Sequence, residues 1–402
     1  MAELEEPFGP RVARLRALRG YSQAQFARKV DRSVAWLSQV ERGVRHIDKM
    51  SMLERLAAEL NVPLSDLGAG VPVIDAQNSV DEVAEKLKLV LLTTGLAVGA
   101  PGQGAVISAV QTADGVEEVW QLVHAGNLSG LPSKLEPLIV TLSNACSDVE
   151  TAAWGWGLLA SAYQAMAAAC AQTGADDAAW IAGDRAIQAA VMSGDPLAVG
   201  ASAFRLAVVF QGANRFAYAE QTAQQAAERV QPLATQGCEA ARCIWGALTL
   251  QRAVAASRVN DAPRAYALLA EARTAAEAIG PGRNDGHTEF GPLNVAVHEV
   301  AIAVELGDAG HALRAAEAID VDALSAERHS RLLIDVARAW MQRRDSQQAL
   351  EALLAAEGLA PDHVRGHHRV RQIISDLLAL TKQPDNDLKE LARRTGLLAT
   401  IR

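Results

Sequence analysis

The sequence predicts an all-α protein, and three observations carry that expectation. Half of the 402 residues are apolar, yet only 4% are aromatic, and alanine, the strongest helix former, supplies much of the apolar share. Runs of β-branched residues that would favour strands are few. From about Asn127 onward, turns containing Gly, Asn or Asp recur between alanine-rich segments, the pattern of stacked helix pairs.

The first helix is expected from about Gly9 to Leu18, with Val12, Leu15 and Leu18 on one face and Arg11, Arg14, Arg16 and Arg19 around it. Arg14 and Arg16 read as solvated helix charges. Gly20 ends this helix. Ser22 caps a second, which turns Phe26, Ala27 and Val30 inward. Asp31 and Arg32 make a tight turn, Ser33 caps a third helix, and Leu37 with Val40 anchors it at (i, i+3) spacing. Asp48 can cap a fourth helix carrying Met52, Leu53, Leu56 and Leu60, and Val62-Pro63 leads into a short fifth. Two short helices about a tight turn, the second presenting small and amide side chains, are a way to place a helix in the DNA major groove.

The charge distribution fits that reading. The formal net charge is −9, but residues 8–55 hold 11 Lys/Arg against 4 Asp/Glu, a local +7, while residues 68–402 hold 27 against 38, or −11. Phosphate binding follows the local field, because salt screens charges beyond about 10 Å.

Residues 8–67 resemble the phage-repressor and Cro-like helix-turn-helix, or xenobiotic-response-element (XRE), family. The resemblance rests on Ser22-Gln23, Phe26-Ala27, Ser33, Leu37-Ser38, Val40-Glu41-Arg42-Gly43 and the closing LERLAAELNVPLSDL. The family usually has glycine where Val30-Asp31 stands, and Trp36 occupies a position that is often smaller and polar. The resemblance implies a five-helix lambda-repressor-like domain over 1–67 and assigns roles by position. Gln23 would bond a phosphate at the start of helix two. Ser33, Val34, Ala35, Ser38 and Gln39 would meet the DNA, with Gln39 bidentate to an adenine and Val34 and Ala35 against thymine methyls. Arg28, Arg32, Arg42 and Arg45 would hold the backbone. Glu41 would be structural, bonding backbone or an arginine, and Trp36 either touches DNA or packs on a neighbour.

Gly68-Ala69-Gly70-Val71-Pro72, continued by Asp75–Ser79, reads as a linker over 68–80. The remaining residues, 81–402, form the second domain. A helix is expected over Val80–Leu96, then a break at Gly99–Gly104 whose GAPGQGA stretch lacks the Lys-Ser/Thr of a phosphate loop. Inter-helix turns follow at Gly174-Ala175-Asp176, Gly212-Ala213-Asn214, Asn260-Asp261, Gly307-Asp308 and Arg344-Asp345. From Asp176 through Asn214, Asp261, Asp308 and Asp345 the steps are 38, 47, 47 and 37 residues. Three turns share a pattern, Asp261 to Ala265, Asp308 to Ala312 and Asp345 to Ala349. A period in this range with two helices per unit predicts an α-solenoid.

The segments Trp156-Leu159-Ala160-Tyr163, Leu206-Ala207-Phe210 and Val300-Ala301-Val304 resemble tetratricopeptide repeats (TPR). With Tyr163, Phe210 and Val304 buried, helical spacing brings Gln164, Arg205, Gln211, His298 and Glu305 near the concave face. Asn294 lies one turn before His298, and Gln251 is similarly placed. Gln164, Arg205, Gln251, Asn294 and His298 are the candidate ligand-binding residues, able to clamp an extended peptide backbone; each is equally an ordinary polar residue of a solenoid's inner face. The loop Gly280–Gly291 is expected as a surface connection, with a rim or lid as the alternative.

Other chemistry finds little support. Asp362-His363 with His367-His368 has some metal-like spacing, but Pro361 and Gly366 argue against a regular helix there, so no metal is expected. No catalytic constellation or cofactor fingerprint stands out, and the chain is not expected to be an enzyme. Cys146, Cys170, Cys238 and Cys243 lack CxxC spacing and read as reduced, buried thiols. The acidic opening MAELEEP is not a signal peptide, and the uncharged runs Leu89–Ala113 and Thr151–Ala175 fall short of membrane spans.

A Cro-like reader joined to a TPR-like solenoid looks like transcriptional regulators of Gram-positive and actinobacterial origin. That resemblance implies a cytoplasmic homodimer on a palindromic double-stranded operator, and a signalling peptide or small molecule bound by the solenoid in quorum sensing. The alternative is a constitutive DNA-binding regulator whose solenoid is a protein-interaction scaffold.

Overall fold

A computed structural model describes residues 8–30, 32–42, 55–56, 59–60, 62, 78–94, 108–380 and 384–397. These residues are helices and turns, with no strand among them. The chain divides into two compact units, residues 1–76 with 392–402, and residues 77–391. Asp31, Arg45, most of the fourth and fifth helices of the reader, the linker through Gln77 and the break at Gly99–Gly104 lie outside the described residues.

In the first unit, α1 (Phe8–Leu18), α2 (Gln23–Lys29) and α3 (Val34–Glu41) enclose Val12, Phe26, Ala27, Val30, Leu37, Leu56 and Leu60. Both caps form as the serines require. Ser22 Oγ accepts from the Gln25 amide while the Gln25 side chain accepts from the Ser22 amide, a reciprocal capping box. Ser33 Oγ accepts from the Trp36 amide at 3.1 Å, which starts α3 one residue after the turn. Trp36 is half-buried against this core, with the Arg32 guanidinium 5.8 Å from its ring centroid.

The second unit is a stack of helix pairs. It begins with α4 (Asn78–Thr94), α5 (Ala109–His124) and α6 (Leu131–Ser147). Five pairs follow: α7 (Ala152–Gln172) with α8 (Asp176–Ser193), α9 (Pro196–Gly212) with α10 (Phe216–Thr235), α11 (Glu239–Arg258) with α12 (Ala262–Ile279), α13 (Pro292–Glu305) with α14 (Ala309–Glu317), and α15 (Ala326–Gln342) with α16 (Ser346–Leu359). Then come α17 (Pro361–Gly366) and α18 (His368–Leu380). The first helices form an inner layer, α7 on α9, α9 on α11, α11 on α13 and α13 on α15.

One backbone device closes all five pairs. Gly174, Asn214, Asn260, Gly307 and Arg344 each adopt left-handed φ, between 58° and 82°. The next amide then reaches the carbonyl five residues back: Ala175 to Cys170, Arg215 to Phe210, Asp261 to Ala256, Asp308 to Ala303 and Asp345 to Trp340, at 2.8–3.0 Å. This satisfies the carbonyls left open at a helix C-terminus. Asp261, Asp308 and Asp345 then cap the following helices by accepting from the amides of Arg264, His311 and Gln348. The alanines four residues on, Ala265, Ala312 and Ala349, are fully buried, so a larger side chain there would push the paired helices apart.

The stack curves until its ends meet. α5 packs on α15, and α17 packs on both α4 and α7. Gly126, at φ 67°, lies where a Cβ would stand 3.0 Å from the Ala360 Cβ. The inner helices therefore surround an interior rather than an open groove.

Three local expectations are corrected. The loop Gly280–Gly291 is not a surface connection: Phe290 is 1% exposed and packs with the α9–α13 core, and the His287 ring stacks on Trp120 at 4.3 Å. Its sequence looks polar because only one large apolar residue carries the insertion. A short helix does form at Pro361–Gly366, with Pro361 at its first turn, where a missing N–H costs nothing. Phe210 is half-buried rather than buried, lying between Trp180 and Tyr218 at 6.1 and 5.8 Å. The four cysteines are free thiols, Cys170 and Cys243 buried and the other two half-buried; burial pushes Cys146, Cys170 and Cys243 up to about 12. Among the described residues no helix is long and apolar enough to cross a membrane.

Candidate nucleic-acid interface and interior cavity

On α3 the inward residues Leu37, Val40 and Glu41 leave the opposite face to solvent. Val34, 45% exposed, lies there with Ala35 and Arg42, while Ser38 and Gln39 are half-exposed beside them. Spacings of one, four and eight residues from Val34 to Ala35, Ser38 and Arg42 make this one helical face. Arg28 and Arg32 are exposed, on α2 and in the turn. Arg42 Nε donates to the Ser38 carbonyl at 3.2 Å. Arg45 lies outside the described residues.

Gln23 has a second employment. Its Nε2 donates to Glu41 Oε2 at 2.7 Å, and Arg16 donates to the same carboxylate through Nη2 at 3.1 Å. Arg16 Nη1 also donates to the Tyr21 carbonyl at 2.6 Å. Arg16, read as a solvated charge, is thus half-buried and ties α1 to α3, and Glu41 is the structural carboxylate that holds both. In sequence the only hint was that a buried-side glutamate needs a cation.

In the second unit the inner helices and α17–α18 enclose a cavity of about 420 Å³. Three of the five residues expected there line it: Arg205, Gln251 and His298. The other two are spent on packing. Gln164 donates to Ser202 Oγ at 2.9 Å between α7 and α9, and Asn294 Oδ1 accepts from Arg328 Nη1 at 2.8 Å. Gln251 accepts from Gln211 Nε2 at 3.0 Å across the inner layer.

Most lining groups were not legible in sequence, because they come together only when the stack curves. Trp120 and His124 arrive from α5, Glu289 from the loop, Glu327, Arg328, Arg331 and Asp335 from α15, and His363, Arg369 and Arg371 from the last turns. Arg328 binds Glu289 at 2.8 Å and Arg331 binds Glu327. Arg258 and Arg369 share Glu305, at 3.0 and 3.4 Å.

Burial sets the protonation of this interior. It pulls Arg205 down to about 10, helped by the cations Arg328 and Arg331; the guanidinium stays charged near neutrality. It lowers His287 and His298 to about 3 and His363 to about 4, so these rings are neutral. Burial alone would raise Glu327, but the guanidiniums of Arg331 and Arg328 outweigh it and hold the carboxylate ionised. Among the described residues no cluster of His, Cys, Asp and Glu could hold a metal; His363 and His367 meet edge to face, their ring centroids 5.3 Å apart.

The first unit is of the helix-turn-helix class, and in one chain with it stands an all-helical repeat unit. Residues 7–68 match the helix-turn-helix domain family. No curated protein matches the chain. Among solved structures it is similar to Bacillus thuringiensis PlcR in complex with the peptide PapR7 and DNA, at 13% identity over 68% of this chain and 95% of that one, with a TM-score of 0.27.

Proposed function

We propose that this protein is a sequence-specific DNA-binding transcriptional regulator, acting as a cytoplasmic homodimer, whose helical-repeat unit binds a small signal that modulates operator binding. The observation that carries the reading is the exposed face of α3, with Val34, Ala35, Ser38, Gln39 and Arg42 on a helix capped by Ser33, within the helix-turn-helix match. Gln39 reads a base edge, Val34 and Ala35 meet thymine methyls, and Arg28, Arg32, Arg42 and Arg45 hold phosphates. Gln23 meets a phosphate through the α2 N-terminus, its side chain being shared with Glu41.

One reader covers one half-site, so a dimer on a palindromic operator supplies the second, about one helical turn away. The enclosed cavity supports the sensor role, its volume lying in the range of small-ligand sites. A signal, a quorum-type peptide or a small molecule, shifts operator binding only by its differential affinity for two states of the repeat unit. Selection of bound duplexes from a random pool by the full-length protein tests the reading. The expected product is an inverted repeat with half-sites about 10 base pairs apart; a pool that stays random refutes it.

A further inference from the structure

Two cations in the interior cavity have no carboxylate. Every other arginine lining it is paired, Arg258 and Arg369 with Glu305, Arg328 with Glu289 and Arg331 with Glu327. No carboxylate of the described residues stands within 4.0 Å of Arg205 or Arg371. Arg205 gives one Nη2 hydrogen bond to the His287 carbonyl at 3.2 Å, and Arg371 one to the Arg365 carbonyl at 3.4 Å. The Nε of each is shut from solvent and has no hydrogen-bond partner. Shutting part of a guanidinium from water without an anion is costly, and these two half-buried arginines line the same cavity.

The surroundings hold Arg205 ready rather than satisfy it. Its guanidinium lies 5.0 Å from the Trp120 ring centroid and 5.3 Å from that of Phe204, contacts that fix its position and leave N–H edges free. Unpartnered ring nitrogens of His124 and His363, both lining residues, add potential donors. Four carboxylates line the cavity against six arginines. Glu289, Glu327 and Asp335 already face Arg328, Arg331 and Arg338, and with Asp176 counted as the fourth the lining charge is still positive.

We propose that the cavity binds a compact ligand through an anionic group, a carboxylate or phosphate, seated on Arg205 and Arg371. The proposal rests on the sensor reading above and names the chemistry of the ligand. A guanidinium edge matches both anions in bidentate geometry, and two sources share that chemistry, the free C-terminus of a short peptide and the phosphate of a small metabolite. A volume of about 420 Å³ matches a compact ligand.

The test is calorimetry on the full-length protein at constant ionic strength, with inorganic phosphate, tri-alanine and tri-alanine amide as probes. The expected result is saturable binding of phosphate, of free tri-alanine or of both, no binding of the amide, and at least tenfold weaker binding in Arg205→Gln. Phosphate alone points to the metabolite source and tri-alanine alone to the peptide source. Arg371→Gln, with circular dichroism to confirm folding, gives the same loss and serves if Arg205→Gln does not fold. Absence of saturable binding by either anion, equal binding of the amide, or wild-type affinity in a folded variant overturns the proposal. DNA selection run on the same preparation keeps the two readings apart: a random pool with anion binding intact removes the regulator and leaves the anion site.

Discussion

Gly246 on α11 is the floor beneath Phe290: a Cβ at 246 would stand 2.1 Å from the Phe290 Cζ. The loop 280–291 is anchored in the repeat unit by that ring. Gly246→Ala is expected to cost about 3 kcal/mol by overpacking, and Phe290→Ala about 3–5 kcal/mol by leaving a cavity. Because both act on one contact, the double variant should lose less than the sum. Urea unfolding of the four proteins measures this, and additive losses would show that the loop is held elsewhere.

Glu41 carries the geometry of the reader. Glu41→Ala leaves Arg16 half-buried without its anion and frees Gln23, an expected loss of about 3 kcal/mol. Hydrogen exchange over α1–α3 should show the loss in that unit, with protection in α7–α15 unchanged.

The five inter-helix turns differ in one respect: Arg344 holds at φ 61° a position that glycine fills at 174 and 307. Arg344→Gly is expected to raise stability by about 1 kcal/mol by relieving the left-handed strain. Gly307→Ala, whose Cβ meets nothing within 4 Å, should lower it by a similar amount. A higher melting temperature for the first and a lower one for the second is the outcome sought.

His363 makes folding sensitive to acid. Its pKa is about 4 when folded, against the ordinary 6.5, so below pH 6.5 the unfolded chain binds a proton that the folded one refuses. Stability is therefore full above about 6.5 and falls as the pH drops towards 4, by on the order of 2 kcal/mol between pH 7 and 5 for this group. Urea midpoints for wild type and His363→Leu over that range should diverge, the variant being flatter. Parallel curves would place the acid sensitivity elsewhere.

For the reader, Gln39→Ala should weaken operator binding by about 1–3 kcal/mol and relax preference at one base position. Arg28→Gln should instead weaken all sequences alike and lower the salt slope by about 1. Footprinting across a salt series separates the two; unchanged base preference in the glutamine variant would remove Gln39 from the interface.

The elements of this chain were written locally, and so could be read. Ser22 and Ser33 cap helices because a hydroxyl two or three residues from a free amide needs no distant partner. The five turns from Gly174 to Arg344, the Asp caps and the buried Ala265, Ala312 and Ala349 follow from spacing alone. The exposed face of α3 follows from the positions of Leu37 and Val40.

What the tertiary structure decided is how those pieces spend their polar groups. By spacing, Gln164 and Asn294 belong on the same concave side of the stack as Arg205 and His298, yet Ser202 and Arg328 take them into the packing. Arg16 looks solvated until Glu41 arrives from 25 residues on. Arg371 joins Arg205 only because the stack curves until α5 meets α15 and α17 meets α7. Local spacing sets which face of a helix a side chain occupies; burial and pairing depend on which distant helix covers that face, and that is a property of curvature, which no single segment encodes.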